Sequence, residues 1–275
     1  MPRFNLFLRV AYLGTAYAGS QIQKNGITIQ EHLDKALRCL FAGEKIKTIF
    51  AGRTDSGVHA LGQAVSVMVS RRMPLDKTRA ALNSLLPLDI RVKEARYVKP
   101  EFNPRYAAAG REYLYNIYYG RAPLLYMRDK VWHIDARQKL NWRLMRRAAR
   151  LIRGEHDFAA FCAAGSTVKN KVRRVTVSEI TARRADCWPG APDKADGLLL
   201  TYRVQASGFL YHMVRNIIAA LVDVGLKKMT LDDLREIMRS GRRSALRSAT
   251  APAAGLILYD VKYNKREIVN CKEKF

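Results

Sequence analysis

Two hydrophobic periods follow one another in a fixed order over the first hundred residues, and that order leaves few folds open. Phe4, Leu6, Leu8 and Val10 alternate as in a half-buried strand. Ile29, Leu33, Leu37 and Leu40 then recur at helical spacing behind Thr28, a residue suited to capping a helix N-terminus. Residues 46–50 read as a short strand, and residues 51–62 as a polar loop containing glycines. Val65, Val67 and Val69 alternate again, a helix over 76–86 stops before Pro87, and residues 90–98 return to strand. The order β-α-β-β-α-β is the split βαβ arrangement of an antiparallel α+β layer.

From about residue 105 the same ingredients reappear. Arg111, Tyr113, Tyr115 and Ile117 share one face of a long strand. A helix over 141–152 carries Arg143, Arg146, Arg147 and Arg150, with Arg153 just beyond it. Strands follow at 172–182 and 198–206, separated by a loop at 187–192. Residues 212–224 are helical, with Val214, Ile217, Ile218 and Leu221 as the apolar stripe. Thr230 and Asp233 form a capping pair for a shorter helix ending at Gly241, and residues 256–263 close the chain as a strand. The chain reads as two α+β halves, residues 1–104 and 105–275, each ferredoxin-like or RRM-like. They are expected to form a rigid pair with a cleft between them, because no linker rich in Pro, Gly or Ser divides them.

Charge narrows the function classes. Lys and Arg total 49 against 24 Asp and Glu, a formal charge of +25. Self-repulsion at that charge opposes compaction, and a polyanionic partner relieves it while releasing condensed counterions. Nucleic acid fits better than a membrane surface, since no single basic amphipathic segment dominates. No apolar run is long enough to span a bilayer and the amino terminus has no signal-like segment, so a cytoplasmic protein is expected. Cys39, Cys162, Cys187 and Cys271 are far apart and form no C-x-x-C pair, so no structural zinc built from local ligands is expected; nor is any other metal or cofactor expected.

Residues 52–60, Gly-Arg-Thr-Asp-Ser-Gly-Val-His-Ala, join two expected strands. Two glycines permit a tight turn, and Arg53 and Asp55 put a charged pair beside the hydroxyls of Thr54 and Ser56. Spacing alone leaves two readings: a carboxylate presented to a ligand, or an Asx-type turn with a surface ion pair.

This segment resembles the active-site motif of the tRNA pseudouridine synthase A family. Four further blocks agree in order: Leu82-Asn83-x-x-Leu86-Pro87-x-Asp89-Ile90, Gly154-Glu155-His156-Asp157-Phe158, residues 209–216 (Phe-Leu-Tyr-His-Met-Val-Arg-Asn), and Ala251-Pro252-Ala253-x-Gly255-Leu256-x-Leu258. The resemblance implies the pseudouridine synthase fold, a continuous mixed, mainly antiparallel sheet with a central active-site cleft, and an isomerase that converts uridine to pseudouridine in the tRNA anticodon arm, positions 38–40. It makes Asp55 the catalytic carboxylate at the glycosidic carbon. It gives Arg53 a part in displacing the target nucleotide, Tyr113 a face for the extruded base, Arg215 the pairing with the aspartate, and Leu258 a place on the pocket floor. Extruding a base costs a few kcal/mol, and base–aromatic stacking returns about 1–3 kcal/mol of it. A guanidinium beside a carboxylate favours its ionised form. The resemblance also implies a homodimer, with tRNA as partner.

Each assignment has a plainer alternative. Tyr113 stands among Tyr115, Tyr118 and Tyr119, a pattern more typical of core, and Arg215 lies at the edge of an apolar stripe, where arginines snorkel. His59, His156 and His212 lack metal-ligand spacing and read as structural. The arginines at 143, 146, 147 and 150, and Lys169, Lys171, Arg173 and Arg174, are candidates for phosphate contact or a solvated face. Two departures stand out. Ser20 occupies a position where the family usually has tryptophan, and Phe102-Asn103-Pro104-Arg105-Tyr106 replaces Phe-His-Ala-Arg-Phe. The competing function is a relative that binds or folds RNA without modifying it, which needs the charge but not the carboxylate.

Overall fold

The computed structural model describes residues 3–185, 197–246 and 248–264. The loop expected at 187–192, with Cys187, and Cys271 lie outside the described residues. The chain divides into two compact units, one formed by Met1–Gly110 with Ile257–Phe275 and the other by Arg111–Leu256.

The first unit follows the expected order: β1 (Phe4–Tyr12), α1 (Ile29–Leu40), β2 (Ile49–Phe50), β3 (His59–Val69), α2 (Leu75–Leu85) and β4 (Ile90–Val98). β1 lies between β3 and β4, antiparallel to both, with Leu6 opposite Val67 and Tyr97. β2 is shorter than the strand expected at 46–50 and pairs Ile49 with Ser66 and Phe50 with Val65. α1 begins where its capping box dictates: Glu31 N–H donates to the Thr28 hydroxyl, and Glu31 Oε2 accepts from Thr28 N–H at 2.7 Å. Its buried face is Ile29, Leu33, Ala36 and Leu37. Asn83 fastens α2 to β4 through both amide atoms, accepting from Val92 N–H at 2.8 Å and donating to Val92 O at 3.0 Å. Phe7 packs edge-on against Phe102 and Tyr263 at 5.9 and 6.1 Å between ring centroids.

The second unit contains β5 (Ala108–Gly120), β6 (Trp132–Asp135), α3 (Trp142–Leu151), β7 (Gly154–Asp157), β8 (Val172–Arg184), β9 (Leu198–Ala206), α4 (Met213–Gly225) and α5 (Leu231–Ser240). Strands β5, β9, β8 and β7 pair antiparallel in that order, and β6 joins β5 in parallel. α4 is buried on nearly every side, so its apolar stripe is wider than one helical face. Two polar groups inside this core are satisfied. Asn216 donates to Phe161 O at 2.7 Å and accepts from the Thr250 hydroxyl at 2.8 Å, and the Ser178 hydroxyl donates to Ala149 O at 2.6 Å.

The last strand, β10 (Leu256–Tyr263), belongs mainly to the first unit: Ile257 and Leu258 pair in parallel with His59 and Ala60 of β3. Both units are α+β with mainly antiparallel pairing, as the two hydrophobic periods required.

Candidate active site

The loop between β2 and β3 is held by β3, by the end of β1 and by the segment that follows β1. Ala51 N–H donates to Ala64 O at 2.8 Å, and Gln63 Nε2 donates to Gly52 O at 2.9 Å. Thr54, just before Asp55, is gripped three ways. Its N–H donates to Ser20 Oγ at 2.9 Å, its carbonyl accepts from Ser20 N–H at 3.1 Å, and its hydroxyl lies 2.8 Å from that of Tyr12. After Asp55, the Ser56 hydroxyl and Gly57 N–H both donate to Tyr17 O, at 3.1 and 3.4 Å. Val58 N–H donates to the main-chain carbonyl of Asp55 at 3.1 Å, closing the turn. Asp55 is thus a half-buried carboxylate whose neighbours on both sides are pinned.

Two glycines make the approach possible. A Cβ on Gly14 would lie 2.1 Å from Val58 O, and one on Gly19 would lie 2.9 Å from Thr54 O. Gly19 also has φ of +115°, closed to most side chains. Gly14 N–H donates to Nδ1 of buried His59 at 3.0 Å, which puts the ring proton on Nε2 and makes His59 structural. Burial pushes the Tyr12 phenol up to about 12, opposed by its bonds to Thr54, Gln63 and Ser20, so it remains protonated beside the loop.

The sequence-derived residues fall into two groups. Asp55, half-exposed to solvent, exposed Arg53 and buried Leu258 lie in the first unit, with Leu258 in register with Ala60. Tyr113 and Arg215 lie in the second. Tyr113 is buried on β5, edge-on to Phe209 at 5.0 Å between centroids. Arg215 is half-buried on α4, where its Nε donates to Ala251 O at 2.7 Å. Nearby Tyr115 donates to Pro252 O at 2.7 Å. Its phenol is pushed well above the ordinary value by burial and drawn back by the positive charge of Arg215. Residues 251–252 therefore tie the Ala-Pro-Ala block to Arg215 and the tyrosine strand. His212 N-caps α4 in the left-handed region, φ +59°, with its ring against Tyr211.

Arg143, Arg146, Arg147 and Arg150 are all exposed on α3, and the Arg143 guanidinium sits over the Trp142 ring at 5.1 Å. Lys169 and Arg174 are exposed, whereas Lys171 and Arg173 are half-buried, Arg173 donating to Asn170 O at 2.9 Å. Among the described residues, no group of three or more His, Cys, Asp or Glu side chains is placed to hold a metal ion, and no helix is long and apolar enough to cross a membrane.

The departures from the family pattern have clear local roles. Ser20 is fully buried and is the residue that grips Thr54. Asn103 builds a local turn by accepting from Arg105 N–H at 2.9 Å, while Phe102 stays in the core and Tyr106 stands exposed. Sequence reasoning missed Tyr12, Gly14, Tyr17 and Gly19 as loop supports. Their only signal was a cluster of glycines and tyrosines directly after the first strand.

The matched fold and loop define a class. The family model described as tRNA pseudouridine synthase matches residues 9–107 and 148–264 of this chain. Proteins named tRNA pseudouridine synthase A align along nearly the whole length. The one from Acetivibrio thermocellus is 38% identical over 94% of this chain and 99% of its own. That from Moorella thermoacetica is 39% identical over 94% and 99%, and that from Bacillus subtilis 38% over 93% and 97%. The chain belongs to the tRNA pseudouridine synthase A family.

Proposed function

We infer that the protein isomerises uridine to pseudouridine in tRNA, with Asp55 as the reacting carboxylate and positions 38–40 of the anticodon arm as targets. The observation that carries this reading is the Asp55 turn, in which Thr54, Ser56 and Gly57 are each fixed by hydrogen bonds and a carboxylate is presented between them. An RNA-binding relative without chemistry has no use for so rigid a carboxylate. Preorganisation of this kind is what positions a reacting group.

The reaction is balanced without a redox partner. The bond from uracil N1 to the sugar C1′ breaks, C5 bonds to C1′, and the proton on C5 leaves while N1 takes one up. Asp55 engages the sugar carbon; Arg53 helps displace the nucleotide; Tyr113 stacks on the extruded base; Arg215 pairs with the carboxylate; and Leu258 lines the pocket floor. A stacked aromatic recovers about 1–3 kcal/mol of the extrusion cost. No metal or cofactor enters this scheme. The protein acts in the cytoplasm as a homodimer.

The decisive measurement is tritium release from tRNA labelled at uridine C5. Wild type releases tritium and Asp55→Ala does not, while both bind tRNA comparably. Equal release from both, or none from wild type on any tRNA, overturns the reading. Arg143, Arg146, Arg147 and Arg150, together with Lys169, Lys171, Arg173 and Arg174, supply phosphate contacts. Replacing the four α3 arginines by alanine weakens binding and flattens the dependence of log K on log salt by roughly 0.7–0.9 for each phosphate no longer neutralised. An unchanged slope identifies a merely solvated face.

A further inference from the structure

We propose that Tyr17 and Asp89 are positioning residues that set the orientation of Asp55, an inference resting on Asp55 being the reacting carboxylate.

The two residues following Asp55 share one acceptor, the carbonyl of Tyr17. That carbonyl belongs to a loop, outside any helix or strand, so nothing in a regular ladder fixes its direction. Its peptide plane is held on one side by Ala18 N–H, which donates to Ile27 O at 2.9 Å, and on the other by the rest of the tyrosine. The buried Tyr17 phenol donates to Asp89 Oδ1 at 2.6 Å, and its ring stands edge-on to His32 of α1, 5.6 Å between centroids. Tyr17 N–H donates to Gly14 O at 3.0 Å, which ties the same residue to the glycine packed against Val58.

Asp89 is anchored in turn. Its carbonyl accepts from Leu13 N–H at 2.9 Å, and the next residue closes a turn from Ile90 N–H to Pro87 O at 3.0 Å. Asn83, in the same sequence block, clamps Val92 just beyond. The Leu-Asn-x-x-Leu-Pro-x-Asp-Ile block has no part in the chemistry proposed above, yet its aspartate is two hydrogen bonds from the catalytic turn. Burial, reinforced by the adjacent Asp89 carboxylate, raises the Tyr17 phenol well above its ordinary value, so it stays a donor throughout the working pH range. A phenylalanine would fill the same volume. The hydroxyl adds direction, which packing alone does not supply.

The test uses the full chain and single-turnover tritium release from C5-labelled tRNA, with binding and thermal midpoint measured for every variant. Tyr17→Phe and Asp89→Ala each lower the rate constant about five- to tenfold, the equivalent of one missing hydrogen bond, with tRNA affinity unchanged within about twofold. The double variant is no slower than either single one, because both break the same link. Asp89→Asn, whose amide oxygen accepts from the phenol, stays within about twofold of wild type. A merely structural pair would lower the thermal midpoint and leave the rate constant of the folded protein intact, and that outcome overturns the proposal. Multiplicative losses in the double variant, or Asp89→Asn as slow as Asp89→Ala, also overturn it. Asp55→Ala is the companion control. Full activity there refutes the assignment of Asp55, whereas an inactive Asp55→Ala beside unaffected Tyr17→Phe refutes only the positioning role.

Discussion

Gly14→Ala adds one methyl group at a distance from any reacting atom and should nevertheless disable the enzyme. The new carbon would stand 2.1 Å from Val58 O, 2.6 Å from Val58 C and 3.0 Å from Val58 N, all of them backbone. No side-chain rotation relieves such a clash. Because real Cβ atoms essentially never approach closer than 3.0 Å, the two backbones must part by about 1 Å. Val58 N–H closes the turn on Asp55 O, and Gly14 N–H bonds to His59, so the displacement loosens the Asp55 turn at both points. A misplacement of about 1 Å costs on the order of a hundredfold in rate. Gly43→Ala is the matched comparison: its φ of +79° strains an alanine by roughly 1–2 kcal/mol, but a Cβ there meets nothing within 4 Å. Tritium release under single-turnover conditions, alongside the thermal midpoint, separates the two. Gly43→Ala loses stability and keeps its rate constant. The reasoning fails if folded Gly14→Ala turns over within about threefold of wild type, or if Gly43→Ala slows as much.

Two further outcomes follow from buried titrating groups. Tyr12 has a phenol raised by burial from 10.0 to about 12, so its share of stability is intact below pH 10 and disappears as pH climbs through the folded value. That share is about 2–3 kcal/mol. Tyr12→Phe flattens this part of the alkaline limb in urea titrations, and an unchanged limb contradicts the assignment. Asp34 is raised chiefly by burial, against hydrogen bonds from Thr48 and the charge of Arg38. Its contribution is present below the ordinary carboxylate range and lost as pH rises through the elevated value. Asp34→Asn, able to accept the 2.6 Å bond from the Thr48 hydroxyl, removes that loss and is the more stable protein at neutral pH; lower stability there would contradict the sign.

Much of this was legible in the residues themselves, for identifiable reasons. Period-two and period-3.6 patterns set α1, β4 and β9 almost to the residue, because each of these elements has one face in the core. Thr28 and Thr230 marked helix starts through capping boxes that need only local atoms. The four-residue strands β6 and β7 escaped notice, since strands that short carry no measurable alternation. β3 begins at His59, inside what reads as loop, because its first residues pair with β10, almost two hundred positions away. The loop's sequence could not distinguish a reactive carboxylate from an ordinary turn. Nor could spacing reveal the support that Tyr12, Tyr17 and Ser20 give this turn, because they come together only through folding.

The return of β10 to the first unit has a consequence for how the protein is made. Chains emerge from the ribosome N-terminal end first, at about 5–20 residues per second. Residues 1–110 are complete early, but the strand that borders β3 at His59 and Ala60 comes only after residues 111–256 have been synthesised. For on the order of ten seconds the loop that carries Asp55 sits beside an open sheet edge, exposed to any strand that can pair with it. Once the strand has arrived, Arg9 of β1 pairs with its Asp260. The Asp55 turn thus gains its last neighbouring strand only at the end of synthesis.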